Sequence, residues 1–200
     1  VRVCVPARTG NEHELERRLQ KAVRTDPSTG LLHRKYFVDD AWERLQQPVK
    51  GGVRYMAYIK PDKFAAILGD IGIMASEDFL VAFAEVLRDQ LQPNDLAGRF
   101  AGNSIVVLLE RGNARDVEAW AEHVVKKIGA ATFKVAEKSL SATCTVGLGM
   151  LPSTNPDLGS AIADAAAANR RGREQGGGQF YVVDKSDTDT RVQAYDKIWV

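Results

Sequence analysis

Two short apolar runs, Leu96-Ala97-Gly98-Arg99-Phe100 and Ile105-Val106-Val107-Leu108-Leu109, stand on either side of Ala101-Gly102-Asn103-Ser104. So close a spacing reads as a β-hairpin, because Gly and Asn accept the positive φ of a tight reversal. A hairpin in mid-chain also constrains what surrounds it. It does not fit the strictly alternating order of doubly wound nucleotide folds, and it places an antiparallel pair inside the sheet.

The segments around the hairpin supply the other layers. Asn11 followed by Glu14 reads as a helix start, and Leu15, Leu19 and Ala22/Val23 then recur at helical spacing as far as Arg24. That thin amphipathic connector is suited to pair with its own copy or to pack on a neighbouring domain, though it is too short to establish a coiled coil. Asp26-Pro27-Ser28-Thr29-Gly30 is a turn by composition. The periodicity predicts a helix over 33–45 with Phe37, Ala41, Trp42 and Leu45 on one face, and a strand over 53–59. Pro61 suits a strand end followed by a first helical turn. A second amphipathic helix is predicted over 76–91 with Phe79, Leu80, Phe83, Val86 and Leu87 inward, and a third over 114–128. Strands are predicted over 131–135 and 140–150, an Ala-rich helix over 157–171, and a last strand over 180–183. Gly176-Gly177-Gly178 reads as a flexible turn. The whole is a mixed α/β (α+β) arrangement with helices packed on a sheet.

Composition narrows the function classes. Of 200 residues 44% are hydrophobic and 26% charged, which is ordinary for a globular domain. The net charge of +1 creates no global field for nucleic acid or anionic membrane. No apolar run is long enough to span a bilayer and no export signal is evident, so membrane insertion is not expected. Cys4 and Cys144 are far apart and His13, His33 and His123 are scattered, which points to neither a disulfide framework nor a metal site. Cys144 falls in an apolar pattern and reads as a small buried hydrophobe. A reducing cytoplasm fits this cysteine usage. Trp42 and Trp120 sit on apolar helix faces and read as core. Val1-Arg2-Val3-Cys4-Val5 resembles the last strand of an upstream unit, and 187–200, with Trp199, a linker.

Several motifs in order resemble those of GGDEF domains, which make cyclic di-GMP from two GTP molecules. Asp26-Pro27-Ser28-Thr29-Gly30-Leu31-Leu32-His33-Arg34 is similar to the family's opening D-x-L-T-G-L-x-N-R. Lys60-Pro61-Asp62-Lys63-Phe64 stands at the metal-binding D-x-D-x-F-K strand end, and the hairpin Ala101-Gly102-Asn103-Ser104-Ile105 at the signature itself. Ala142-Thr143-Cys144-Thr145-Val146-Gly147-Leu148-Gly149 is similar to T-x-S-x-G-x-A, and 165–173 to A-L-Y-x-A-K-x-x-G-R. The resemblance, spanning 25–184, implies a central, mostly antiparallel sheet of about five strands with helices around it.

The same resemblance marks what is missing. The metal-ligating Asp corresponds to Lys60, and the two hairpin acids correspond to Asn103 and Ser104. A single and a double positive charge about 4 Å apart repel by roughly 8 kcal/mol at an effective dielectric near 20. The guanine-reading Asn corresponds to Leu68, which cannot satisfy a base edge, and the second guanine contact to Glu77. The phosphate-binding Lys after Phe64 becomes Ala65, the late phosphate-binding Lys becomes Asn169, and Arg173 is kept. The R-x-x-D of product inhibition becomes Gln92-Pro93-Asn94-Asp95, without its Arg. Lys60 reads either as a solvated strand-end lysine or, with Arg173, as a residual phosphate contact. Arg170, Arg171 and Arg173 read either as a basic helix end or as an anion contact. Arg99 reads as a strand arginine paired with local acids, or as a relic of dinucleotide binding.

The resemblance therefore implies a degenerate, non-catalytic module with no cofactor and no metal. The pattern is similar to FimX-type proteins, in which a sensor domain, a degenerate GGDEF domain and an EAL domain control type IV pili and twitching motility. On that pattern 1–24 is a linker from a sensor-like domain, 25–185 the degenerate domain and 186–200 a linker toward an EAL domain. Partners would be those neighbouring domains and other signalling or pilus-assembly proteins, with a homodimer open. The alternative is a regulatory GTP-binding domain that modulates an attached EAL domain.

Overall fold

The computed structural model describes residues 10–183. The strand-like opening with Cys4 and the polar stretch with Trp199 lie outside the described residues. Helix α1 (Gly10–Arg24) is followed by β1 (Leu32–His33), α2 (Arg34–Leu45), β2 (Val53–Pro61), α3 (Phe64–Ile71) and, after a 3-10 turn, α4 (Ser76–Arg88). Next come the hairpin β3 (Leu96–Ala101) and β4 (Ser104–Arg111), α5 (Ala114–Ala130), β5 (Phe133–Val135), β6 (Lys138–Leu140), β7 (Cys144–Leu151), α6 (Leu158–Glu174) and β8 (Phe180–Val182). The main sheet has six strands, one more than expected, in the order β1-β3-β4-β2-β7-β8. Its four central strands pair antiparallel, while the edge strands β1 and β8 add parallel.

Because side chains alternate along a strand, β2 serves two cores at once. Tyr55, Ala57 and Ile59 join the core under α4 and α5, while Met56 and Tyr58 face the core under α2 and α6. Covering both faces with helices explains why β2, β4 and β7 read as nearly continuous apolar runs. Phe79, Phe83, Leu87 and Ala84 of α4 are fully buried as its periodicity requires, and the Phe79 ring lies 5.3 Å from that of Phe133. Helices α5 and α6 start at side-chain caps: Asn113 accepts from the Asp116 N–H and Asp157 from the Ser160 N–H.

Four expectations are corrected. Gly10 is already helical, so Asn11 lies inside α1 and not at its start. Trp42 is 53% exposed, because the buried line of α2 is Phe37, Ala41 and Leu45 and Trp42 sits a step around the helix from it. Helix α4 stops at Arg88, short of Leu91. The strand expected over 140–150 is broken: Leu140 closes a small hairpin, β5–β6, and β7 starts only at Cys144. The turn of that hairpin, Ala136-Glu137, has φ of 52° and 61°, a left-handed pair that neither residue type announces. Trp120 is buried and donates its indole N–H to the Gln90 carbonyl at 2.9 Å. Cys144 is fully buried, and burial, then the charge of Asp62, pushes its thiol up to about 12, which makes it inert packing.

Helix α6 lies unusually close to the sheet. A Cβ on Gly147 would sit 2.0 Å from the Ala165 carbonyl oxygen and 2.3 Å from the Asn169 nitrogen. Both obstacles are backbone, so no side-chain rotation relieves them. Gly147→Ala is expected to lower unfolding free energy by about 3 kcal/mol in urea titration, the upper part of the usual overpacking range. Gly129→Ala, in open space on α5, is expected to be neutral or stabilising in the same measurement.

Candidate functional site

The hairpin turn is formed by Gly102 and Asn103, with Ala101 opposite Ser104 and an irregular register between Arg99 and Ala101. Gly102 takes the left-handed conformation, with φ of 51°; Asn103 does not, so the turn uses one of the two residues expected to bear positive φ. Ala101 and Gly102 are exposed, Asn103 is half-buried, and Ser104 and Ile105 are buried. The turn thus presents backbone and amide, and no carboxylate.

Beside it, Lys60 is the last residue but one of β2, and its register partner on β7 is Thr145. Lys60 is half-buried, not the fully solvated strand-end lysine of the simplest expectation. Burial pushes its pKa down, and the charge of Arg173 pushes it further. Arg173, near the end of α6, is exposed and donates its Nε–H to Asn169 Oδ1 at 2.9 Å. Asn169, a position the sequence marks only as a lost phosphate contact, is fully buried. Its Nδ2 donates to the Tyr58 carbonyl at 3.0 Å and to the Thr145 carbonyl at 2.8 Å. The amide therefore stitches α6 to β2 and β7 and sets the place of Arg173.

Asp62, two residues beyond Lys60, is buried and its oxygens are in use. Oδ1 accepts from Thr145 Oγ1, and Oδ2 accepts from Thr143 Oγ1 and the Gly178 N–H, each at 2.7 Å. Gly177, at φ of 71°, lets the turn press on this carboxylate: a Cβ there would lie 2.7 Å from the carboxyl carbon. Gly176-Gly177-Gly178 is thus a fastened turn, where composition alone reads as flexible. Sequence reasoning missed this; the available signal was the pair Thr143 and Thr145, alternate residues facing an acid. Mg²⁺ requires several hard oxygen ligands in open geometry. The residues present do not fit it, because Asp62 is engaged by three protein donors and the strand-end position carries the cation Lys60 in place of an acid.

The other marked positions are equally self-contained. Arg99 forms a bidentate pair with Glu77 and donates to Asp26 Oδ2 at 2.9 Å. Its Nε also reaches the Gly102 carbonyl at 3.2 Å, tying the opening turn, the start of α4 and the hairpin together. Asp26 further accepts from Thr29 Oγ1 at 2.8 Å. Burial raises the Asp26 pKa, but the hydrogen bonds from Arg99, Thr29 and Ser28 bring it below the ordinary value. The Arg99 hydrogen bond holds Glu77 low as well. Leu68, half-buried in α3, offers no polar atom to a base edge beyond its backbone. Asp95 is bonded bidentately by Arg111 at 2.8 and 2.9 Å and accepts the Gln92 N–H at 2.8 Å. That carboxylate is spent inside the fold. His13, His33 and His123 are exposed.

A family model described as "Diguanylate cyclase, GGDEF domain" matches residues 6–179. Among relatives, the bifunctional diguanylate cyclase/cyclic di-GMP phosphodiesterase MucR of Pseudomonas aeruginosa is 23% identical over 152 residues, covering 76% of this chain and 22% of MucR. The cyclic di-GMP phosphodiesterase PdeR of Escherichia coli is 22% identical over 198 residues, 99% of this chain and 29% of PdeR. The chain thus spans less than a third of either relative. The FimX GGDEF domain structure from P. aeruginosa superposes with a TM-score of 0.71 at 23% identity, covering 78% of this chain and 98% of that one. The diguanylate cyclase SiaD from the same organism, solved with its activator SiaC, gives 0.76 at 23% identity over 86% of this chain and 66% of that one.

The network around Arg99 has a defined pH dependence. Asp26 and Glu77, ordinarily at 3.8 and 4.5, are both lowered in the fold, so their contribution is present above those values and lost as pH falls through the folded ones. Arg99→Met is expected to cost about 2 kcal/mol at pH 7, less than a fully buried pair because Glu77 is partly exposed. The gap to the parent chain should shrink below about pH 4 in unfolding titrations run across pH.

Proposed function

Because the chain belongs to the GGDEF domain family, we propose that it is a member that does not make the dinucleotide and acts as a scaffold or relay in a larger cyclic di-GMP signalling protein. The observation that carries this reading is Lys60, a cation at the strand end where the resemblance calls for a metal-ligating acid, with Arg173 adding like charge beside it. The acid-free hairpin supports it. So does Arg99, which already occupies Glu77, the one retained acid at the base-reading positions. Fold alone does not confer activity, which resides in the site. The relatives include both a bifunctional cyclase/phosphodiesterase and a phosphodiesterase, and they are much longer than this chain. We place its work in the cytoplasm, through contacts with neighbouring sensor and EAL domains and with other signalling or pilus-assembly proteins. A homodimer is compatible with this role. Control of type IV pili and twitching motility rests on the sequence resemblance to FimX-type proteins alone.

A second reading, a regulatory GTP-binding domain, is favoured by the two cations and opposed by Leu68. The test of the main reading is direct. Purified protein incubated with GTP and Mg²⁺ or Mn²⁺ is expected to yield no cyclic di-GMP by chromatography. Calorimetric titration with cyclic di-GMP is expected to give no heat, because Gln92 has replaced the arginine of the inhibitory motif. Measurable dinucleotide synthesis would overturn the proposal.

A further inference from the structure

Helix α1 carries an apolar line that the body of the domain leaves exposed. Leu15, Leu19 and Val23 recur every fourth residue along one side of the helix and are 59%, 58% and 61% exposed. Single apolar side chains are ordinary on a surface, but three in line on one helix mark a seam for a partner. The charges of the same helix are sorted by end. Glu12, Glu14 and Glu16 lie in its N-terminal half, and Arg17, Arg18, Lys21 and Arg24 in its C-terminal half. That sorting suits the dipole of the helix itself, yet the dipole does not call for the apolar line. Within the helix Arg18 meets Glu14 at 3.1 Å, with both side chains largely exposed, and Arg24 is drawn to Asp40 on the body.

A helix with an apolar line, acids at one end and bases at the other is complementary to itself turned end for end. We infer that α1 pairs in antiparallel orientation with α1 of a second copy of this chain. A parallel pair would set acids beside acids and bases beside bases, and like charges oppose that arrangement. The antiparallel pair lays each acidic half along the other copy's basic half and sets the two helix dipoles against each other favourably. Even spacing of the apolar line fixes the register. Leu19 meets Leu19 of the partner subunit, and Leu15 packs on Val23 of the partner subunit. No other antiparallel register gives all three apolar side chains an apolar partner. Each body continues from the C-terminal end of its own α1, so the pair holds the two bodies at opposite ends of helices about 22 Å long. The pairing takes no premise from the non-cyclase reading; it gives an orientation and a seam to the homodimer that reading admits.

The test is sedimentation equilibrium of the whole chain, joined to disulfide trapping in a Cys4→Ser background, where Cys144 is buried and stays in place. The seam is small, so a monomer–dimer equilibrium with a Kd on the order of 100 µM is expected. Leu19→Glu, at an exposed position, should weaken the dimer at least about tenfold and leave the thermal melt of the domain unchanged. Added salt should weaken the dimer too, because opposite charges face each other across it. Under mild oxidation, a mixture of Leu15→Cys and Val23→Cys chains should yield a linked dimer. Val23→Cys alone should not link, since in that register the two sulfurs lie about 12 Å apart along the axis. A chain still monomeric at about 1 mM, or a dimer indifferent to Leu19→Glu, would overturn the pairing. A dimer that tightens with salt, or efficient linking of Val23→Cys to its own copy, would mark a parallel pair and overturn the antiparallel one. The two proposals fail separately, because dinucleotide synthesis sinks the non-cyclase reading whatever α1 does.

Discussion

The contact between α6 and β7 is the constraint on which the functional end of the molecule depends. Two glycines, Gly147 and Gly149, let the helix backbone rest on the strand. At that distance the Asn169 side chain reaches the backbone of β2 and β7 together. Farther along α6, Gly172 packs against Thr145, whose hydroxyl donates to Asp62. Asp62 in turn holds the glycine turn that leads into β8. A helix seated an ångström higher would lose the Asn169 bonds to β2 and β7, since hydrogen bonds weaken steeply with distance.

Polar side chains at this end of the sheet and near the inhibitory motif mostly bond to the protein itself. Asp62, Asp95, Glu77 and Asp26 are all satisfied by internal donors. Such bonds hold elements in register, and they leave those carboxylates unavailable to ligands. Among the described residues Lys60 and Arg173 make no ion pair, although Arg173 bonds the Asn169 amide.

Much of the architecture was legible because it rests on periodicity. Alternation along β2, the helical spacing of Phe79, Phe83 and Leu87, and the Gly-Asn step all leave marks that local pattern can reveal. The misreadings have physical causes. Trp42 looks like core because it is a large apolar residue next to Ala41, but the buried line of α2 is already made by Phe37, Ala41 and Leu45. The break before β7 was hidden because Ala136 and Glu137 adopt a conformation that tertiary context imposes. At the site, the missing acids were visible residue by residue. The new duties of Asn169 and Asp62 were not, because they depend on carbonyls and amides that become neighbours only after folding.

Helix α1 differs from all of this in having no buried residue. At its C-terminal end Arg24 pairs with Asp40 and lies 5.3 Å from the Tyr36 ring centroid. The Arg24 and Asp40 side chains are 41% and 27% exposed, so the ion pair is of the weak, salt-screened kind, worth about 1 kcal/mol or less. A 15-residue helix is about 22 Å long, and a tilt of about 10° at its base carries the far end through about 4 Å. Salt screens a pair of this kind, so the angle at which α1 leaves the body is expected to respond to ionic strength at the Arg24–Asp40 contact.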